Sequence, residues 1–425
     1  MAVDSMTLWQ RLKPLRARLI ILMAVVGPGI ITANVDNDAG GITTYSVAGA
    51  RYGFGLLWMM PLVAVALIII QEMSARLGVV TGKGLADLIR EGLGVRWTAV
   101  ILSILVFANI ANTVSEFAGV AASMEIFGVS KYVSVPLAAI GVWLLIVKGS
   151  YKPVERIFLV ASAIYLAYVA SGILANPPWG TVLKETASPS FRFEAGYVTL
   201  FITVIGTTIA PWMQFYQQAS IADKGLKIAE FAYERLDVVV GALFAIFVAV
   251  FITIACAATL NANGINIETA QDAALALGPL AGQYAATLFA LGLLNASVFS
   301  AAILPLSTAY AVCEAFGWES ALSRDWKDAP VFFSIYTIMI VLGAAIILLP
   351  IRSLIEAMLA SQTLNGVLLP VILIVMLRLI NDKRLMGKYV NGRIFNFLAW
   401  LTVVILIVLT VILVITSVFP GLLGR

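Results

Sequence analysis

Apolar residues run along this chain in stretches of about 20, the length that crosses a hydrocarbon core as a helix. They lie near 19–47, 55–78, 97–127, 132–148, 156–175, 197–220, 238–260, 281–313, 331–350, 354–378 and 395–418. This pattern predicts an all-α integral membrane protein with eleven spans. Two of the stretches are interrupted. In the first, Asn34-Val35-Asp36-Asn37-Asp38-Ala39-Gly40-Gly41 places charge and paired glycine at bilayer depth. In the sixth, Gly206-Thr207-Thr208-Ile209-Ala210-Pro211 ends on a proline that removes a backbone donor, so the helix opens just before it. Non-helical backbone at that depth is tolerated only where it lines a polar cavity or is buried in protein.

Spans one and six are each the first of five. A unit with an odd number of spans re-enters the membrane inverted when repeated. Two broken helices at matching positions therefore predict an inverted repeat of five plus five helices with its site at the midplane, followed by an added eleventh helix. The segments expected are 1–18 as a cytoplasmic amino-terminal stretch, 19–175 and 197–380 as the repeats, 176–196 as an extracellular loop, and 381–425 as a cytoplasmic loop with helix eleven. Residues 9–19 are expected to form an amphipathic surface helix.

Composition agrees: 61% of residues are hydrophobic, 12% are charged and mean hydropathy is +0.99. With Arg11, Lys13, Arg16 and Arg18 placed in the cytoplasm, alternate loops collect most of the remaining Lys and Arg, leaving Arg51, Lys131, Lys184, Arg192, Arg352 and Arg425 outside. The positive-inside rule thus predicts a multi-pass cell-membrane protein with a cytoplasmic amino terminus and an extracellular carboxyl terminus. The pI near 9.0 reflects this topology and not a nucleic-acid surface, since the basic residues form no dense patch. No cleavable signal peptide is expected. Cys256 and Cys313 both fall within spans, so neither a disulfide framework nor a thiolate cluster is expected. No phosphate-binding loop is present, and no cofactor or obligate protein partner is implied.

Gly27-Pro28-Gly29, Asp38-Ala39-Gly40-Gly41 and the run Ala48 to Trp58 align without gaps to the first helix of NRAMP metal transporters. Further matches are the run Ala75 to Lys83, Ser115-Glu116-Phe117-Ala118-Gly119, and the run Asn381 to Gly387. The chain resembles that family over most of its length. The resemblance implies a LeuT-like fold carrying divalent metals, with ligands from an Asp-Pro-Gly-Asn motif in helix one and a methionine before a proline in helix six. Here Asp38 is kept, Ala39 replaces the proline, Gly41 replaces the asparagine and Ala210 stands in the methionine position. Trp212 and Gln217 occupy the usual histidine positions of helix six, Thr113 replaces an acidic residue linked to proton transfer, and Leu368 replaces a glutamine, with Asn365 nearby as a polar substitute.

These departures share a chemical direction. A thioether selects soft transition metals, whereas carboxylate, carbonyl and water oxygens suit hard ions, and Mg2+ keeps several of its waters. The pattern resembles the NRAMP-related magnesium transporter branch. It points to a divalent ion, magnesium and also manganese, held partly hydrated by Asp38 with Gly41 and the backbone carbonyls of Thr207 and Ala210. Asn34, Asp36 and Asn37 either line the hydrated vestibule or satisfy backbone groups freed by the unwinding. Glu116 either lines the pathway or neutralises a buried arginine. Gln214, with Gln217 and Gln218, is expected to face the inner pathway or to bond neighbouring helices. Glu72 and Arg76, four apart, are expected to pair within one helix.

No histidine occurs in the chain, which removes the usual proton relay near neutral pH. Uptake without proton coupling is therefore expected. The alternatives are a proton-coupled manganese or iron carrier, a trivalent-metal carrier, a sodium-coupled carrier of organic solutes, a channel, and a magnesium-dependent intramembrane enzyme. The last would need a second carboxylate-rich motif, which later spans lack.

Overall fold

A computed structural model describes residues 35–148, 162–320 and 325–418. Asn34, the expected amphipathic helix at 9–19, the amino-terminal arginines and the first part of span five lie outside the described residues. Twelve longer helices can be followed: α1 Ala39–Tyr52, α2 Met59–Thr81, α3 Leu85–Ile126, α4 Lys131–Val147, α5 Leu166–Leu174, α6 Ala195–Thr208, α7 Pro211–Lys224, α8 Phe231–Thr259, α9 Ala285–Phe316, α10 Pro330–Leu348, α11 Leu354–Ile380 and α12 Arg393–Val418. Eight apolar helical segments among the described residues are long enough to cross a membrane, Ala195–Lys224 (α6 with α7) counting as one. With the shorter α1, α4 and α5 they account for the eleven expected positions.

Local chemistry sets the helix ends. Val35 and Asp36 are helical, the chain breaks at Asn37 and Asp38, and α1 resumes at Ala39. Asp38 is the N-cap of α1, its Oδ1 accepting the Gly41 N–H at 2.5 Å. In the sixth span α6 stops at Thr208 and α7 starts on Pro211, a residue suited to the first turn because its missing N–H has no helical partner there.

Two stretches hold helix that apolar length alone did not predict. The third span begins close to 97 as expected, just after Gly94 at φ 80°, but the polar stretch before it, bearing Asp87, Arg90 and Glu91, is also helical from Leu85. The connection at 176–196, expected as an external loop, contains a short helix, Trp179–Ala187.

The helices surround α1 and the α6–α7 pair. α1 packs on α8, α6, α11 and α3, while α6 packs on α11. The α6–α11 contact is backbone on backbone: a Cβ at Gly206 would stand 2.7 Å from the Gly366 Cα. Small residues thus allow close approach where lipid supplies no hydrophobic drive for helix pairing. Between α2 and the start of α8, Glu72 pairs with Arg76 at 3.0 Å, as the i,i+4 spacing predicts, and Arg235 adds a contact at 3.5 Å.

Candidate metal site at the two helix breaks

The two breaks meet. A Cβ built on Gly41 would lie 3.3 Å from Asp38 Oδ1 and 3.4 Å from Thr207 Oγ1, so this glycine sits between the first break and the sixth span. One turn further along α1, the Tyr45 hydroxyl and Thr208 Oγ1 are 2.8 Å apart, a second link across the breaks. Tyr45 was not singled out from sequence. Its spacing of seven from Asp38 places it two turns along the same helical face, and that periodicity was the available signal.

Asp38, Asp36, Asn37 and Thr207 are all buried. Both carboxylate oxygens of Asp36, both amide atoms of Asn37 and Thr207 Oγ1 have no protein hydrogen-bond partner. Buried polar atoms are ordinarily satisfied by protein, water or an ion. A cluster of orphaned oxygens beside a capped helix start is therefore chemistry suited to a hydrated cation. The Thr207 carbonyl adds to it, because the residue four positions on is Pro211, which has no N–H to offer.

Glu116 resolves one of the open alternatives. Its Oε2 accepts the Ala39 N–H at 3.3 Å, and its carboxyl faces that of Asp38. It stands beside the break on α3, and no arginine among the described residues pairs with it. Thr113, one turn earlier, donates to the Asn109 carbonyl at 2.7 Å and presses its methyl on Gly343 of α10.

Three expected residues are engaged in ways that spacing did not reveal. The Ala210 carbonyl already accepts the Met213 N–H at 3.2 Å. In the orientation that satisfies its amide, Gln214 folds back to donate to Ala210 at 2.7 Å and to Pro211 at 2.9 Å, rather than facing the inner pathway. Asn365 exchanges amide hydrogen bonds with Asn112, at 2.8 and 3.1 Å, and donates to Gln362 Oε1 at 2.9 Å. Gln362 was missed: its side chain packs against Gly40 and its Nε2 has no partner. The paired glycines at 40 and 41 were the signal that another element approaches the break closely. Gln218 donates to the Lys83 carbonyl at 3.0 Å and so joins a neighbouring segment.

Among the described residues no group of three or more His, Cys, Asp or Glu could hold a metal. A cation at the breaks would rely on Asp38 together with carbonyl, hydroxyl and water oxygens. At the end of the bundle bearing Arg51, Lys131 and Arg352, a cavity of about 630 Å3 descends between α3 and α11 as far as Ala122 and Leu359. Glu116 and Gln362 lie one to two turns beyond those residues on the same helices.

Residues 29–416 match the family described as natural resistance-associated macrophage protein-like, Nramp. The chain is 26% identical over 414 residues to the divalent metal cation transporter MntH of Bacillus subtilis (strain 168), covering 93% of each. It is 29% identical over 404 residues to MntH of Ralstonia nicotianae, covering 89% of this chain and 88% of that one. Among solved structures, the Eremococcus coleocola manganese transporter, in complex with an aromatic bis-isothiourea substituted compound, aligns with a TM-score of 0.74 at 22% identity, over 97% of this chain and 88% of that chain. A nucleobase-cation-symport-1 family transporter in a closed conformation aligns with a TM-score of 0.56 at 16% identity, over 93% and 91%. These two likenesses speak for the fold, the inverted five-plus-five arrangement of such transporters.

Proposed function

The chain belongs to the NRAMP family, and from that premise we propose that it imports hydrated Mg2+, and also Mn2+, by alternating access without moving protons. It is a membrane transporter and not an enzyme, with the metal as cargo and no cofactor. The magnesium-dependent enzyme is thereby set aside.

The observation that carries the magnesium reading is the missing side chain at Gly41. Where the resemblance implies an amide ligand, a bare Cα faces Asp38 Oδ1 and Thr207 Oγ1. With alanine at 210 as well, two bulky ligands are absent, and coordination is left to Asp38, carbonyl oxygens and water. Magnesium dehydrates reluctantly and is commonly held by one or two carboxylates plus retained waters. Asp38 supplies one carboxylate, Glu116 lies beside it, and Asp36 and Asn37 offer unsatisfied oxygens for the hydration shell.

Ion entry needs no proton. A membrane potential supplies about 2.3 kcal/mol per charge per 100 mV, so a divalent ion gains about 4.6 kcal/mol, an accumulation on the order of a thousandfold. With no histidine in the chain and Thr113 packed against α10, neither the usual relay residue nor the acidic position of the third span is present, which favours uptake driven by the potential alone. The cavity lined by Arg51, Lys131 and Arg352 opens, on the positive-inside assignment, to the exterior.

Isothermal titration of purified protein with Mg2+ and Mn2+ tests the site. Asp38→Ala is expected to lose saturable binding at the breaks while remaining folded. Unchanged affinity and stoichiometry in that variant would remove Asp38 from the ligand set.

A further inference from the structure

One hollow in the lipid-facing surface reaches the break in the sixth span. A cavity of about 290 Å3 lies between α2, α6 and α12, walled by Leu62 and Ala66, by Ile205 and Ile209, and by Leu401 and Ile405. Leu62, Leu401 and Ile405 are exposed on membrane-spanning helices, so the cavity opens sideways to hydrocarbon. Ile209 is itself a residue of the break, between the end of α6 at Thr208 and the start of α7 at Pro211. Thr207, two residues earlier, lies beside Gly41, and Thr208 bonds Tyr45. One short stretch of chain thus has the metal site against Thr207 and Thr208 and this cavity against Ile209.

Length and charge say what fills it. The cavity follows α2 from Trp58 to Ile69, about 16 Å at 1.5 Å per residue and close to half of a hydrocarbon core about 30 Å thick. That is the depth of one leaflet's acyl chains. At the Trp58 end the indole N–H donates to the Tyr197 hydroxyl at 3.1 Å, which puts two aromatic side chains of the interfacial kind at the mouth. Trp58 packs on Phe201 with ring centroids 5.6 Å apart, and Ile209 lies further along α6, about 12 Å deeper. Two exposed charges of opposite sign stand at the same mouth. A Cβ on Gly55 would lie 3.9 Å from Arg192 Nη2, and one on Gly196 would lie 2.9 Å from the Tyr52 hydroxyl and 3.7 Å from Glu194 Oε1. No ion pair among the described residues joins Arg192 to Glu194. A guanidinium suits phosphate and a carboxylate suits ammonium, so the two complement a zwitterionic headgroup. A comparable hollow between α4 and α10 touches neither break.

We propose that this groove seats one acyl chain of a zwitterionic phospholipid of the ethanolamine class, its headgroup held between Arg192 and Glu194. The far end of the chain bears on Ile209 and steadies the non-helical backbone between α6 and α7. Lipid occupancy therefore acts on the metal site from behind. The seat rests on the chain's place in a membrane and not on which metal it carries.

The probe is dioleoyl phosphatidylethanolamine added to delipidated full-length protein in detergent, its retention read by native mass spectrometry. Wild type is expected to hold one such lipid, and to hold dioleoyl phosphatidylglycerol, which lacks the ammonium, more weakly. Glu194→Gln should lose that preference. Ala66→Trp, which fills the groove, should lose the lipid, while Leu137→Trp on the exposed face of α4 should match wild type. If Ala66→Trp fails to fold, Leu401→Trp closes the groove from α12 and makes the same comparison. Retention is read without metal, so its failure is distinct from failure of the magnesium reading. Mn2+ uptake into liposomes of the ethanolamine lipid should be slower for Ala66→Trp than for Leu137→Trp, and equal rates would overturn the action on the break. Folded Ala66→Trp that keeps the lipid, or wild type that holds both headgroups equally, overturns the seat.

Discussion

Gly41→Ala is the smallest change that tests whether the space at the breaks sets metal affinity. The added methyl would stand 2.5 Å from the Asp36 carbonyl oxygen, 3.3 Å from Asp38 Oδ1 and 3.4 Å from Thr207 Oγ1. The first contact is too short and lies on backbone, so the break must shift. Such overpacking costs about 1–3 kcal/mol. Replacing a helical glycine by alanine returns about 1 kcal/mol, which leaves the fold weakened by up to about 2 kcal/mol. The cost to the ion is separate. The forced shift at the Asp36 carbonyl displaces the neighbouring Asp38 carboxylate and weakens a hydrogen bond between it and the hydrated ion. A hydrogen bond to a charged group is worth about 1.5–3 kcal/mol, so apparent Mg2+ affinity should fall by about tenfold or more. The assay is concentration-dependent Mg2+ uptake into proteoliposomes with an internal metal dye, alongside thermal melting of the purified variant. Gly141→Ala, where the methyl meets nothing within 4 Å, reports the helix-propensity contribution alone and should leave uptake unchanged. Wild-type Mg2+ affinity in well-folded Gly41→Ala would refute the argument that the absence of a side chain here sets metal affinity.

Ala210→Met restores a thioether beside the breaks. In competition uptake with Mg2+ and Cd2+ or Mn2+, the ratio should move toward the softer ion; a constant ratio would mean that the composition at 210 does not set selectivity. Arg76→Ala leaves the buried Glu72 with only the longer contact to Arg235 and also removes the Arg76 bond to the Tyr389 carbonyl at 3.0 Å. A loss of about 3 kcal/mol is expected, read as a lower melting temperature, and an unchanged melting curve would contradict it.

The breaks were legible because each violates the composition of its own span: carboxylates and paired glycine in one, a proline in the other. That they form one site was expected from the inverted repeat and the resemblance; side-chain contacts across them, such as Tyr45 with Thr208, were not, because they depend on how α1, α6 and α11 pack together. Sequence spacing carries no such information. Gln214 shows the same limit. A glutamine three residues past a proline can reach neighbouring helices or its own first turn, and the fold-back to Ala210 becomes visible only with coordinates. The polar helix that precedes the third span was missed for another reason. Asp87, Arg90 and Glu91 make its first turns too polar for a search based on apolar length, although their backbone is helical.

The most direct test of uncoupled magnesium import uses proteoliposomes carrying an internal pH dye and an internal metal dye, with a potassium gradient clamped by valinomycin. An inside-negative potential should accelerate Mg2+ entry with no accompanying acidification, because a divalent ion crossing alone responds to the field without a proton gradient. Acidification that rises in step with Mg2+ entry would contradict the account.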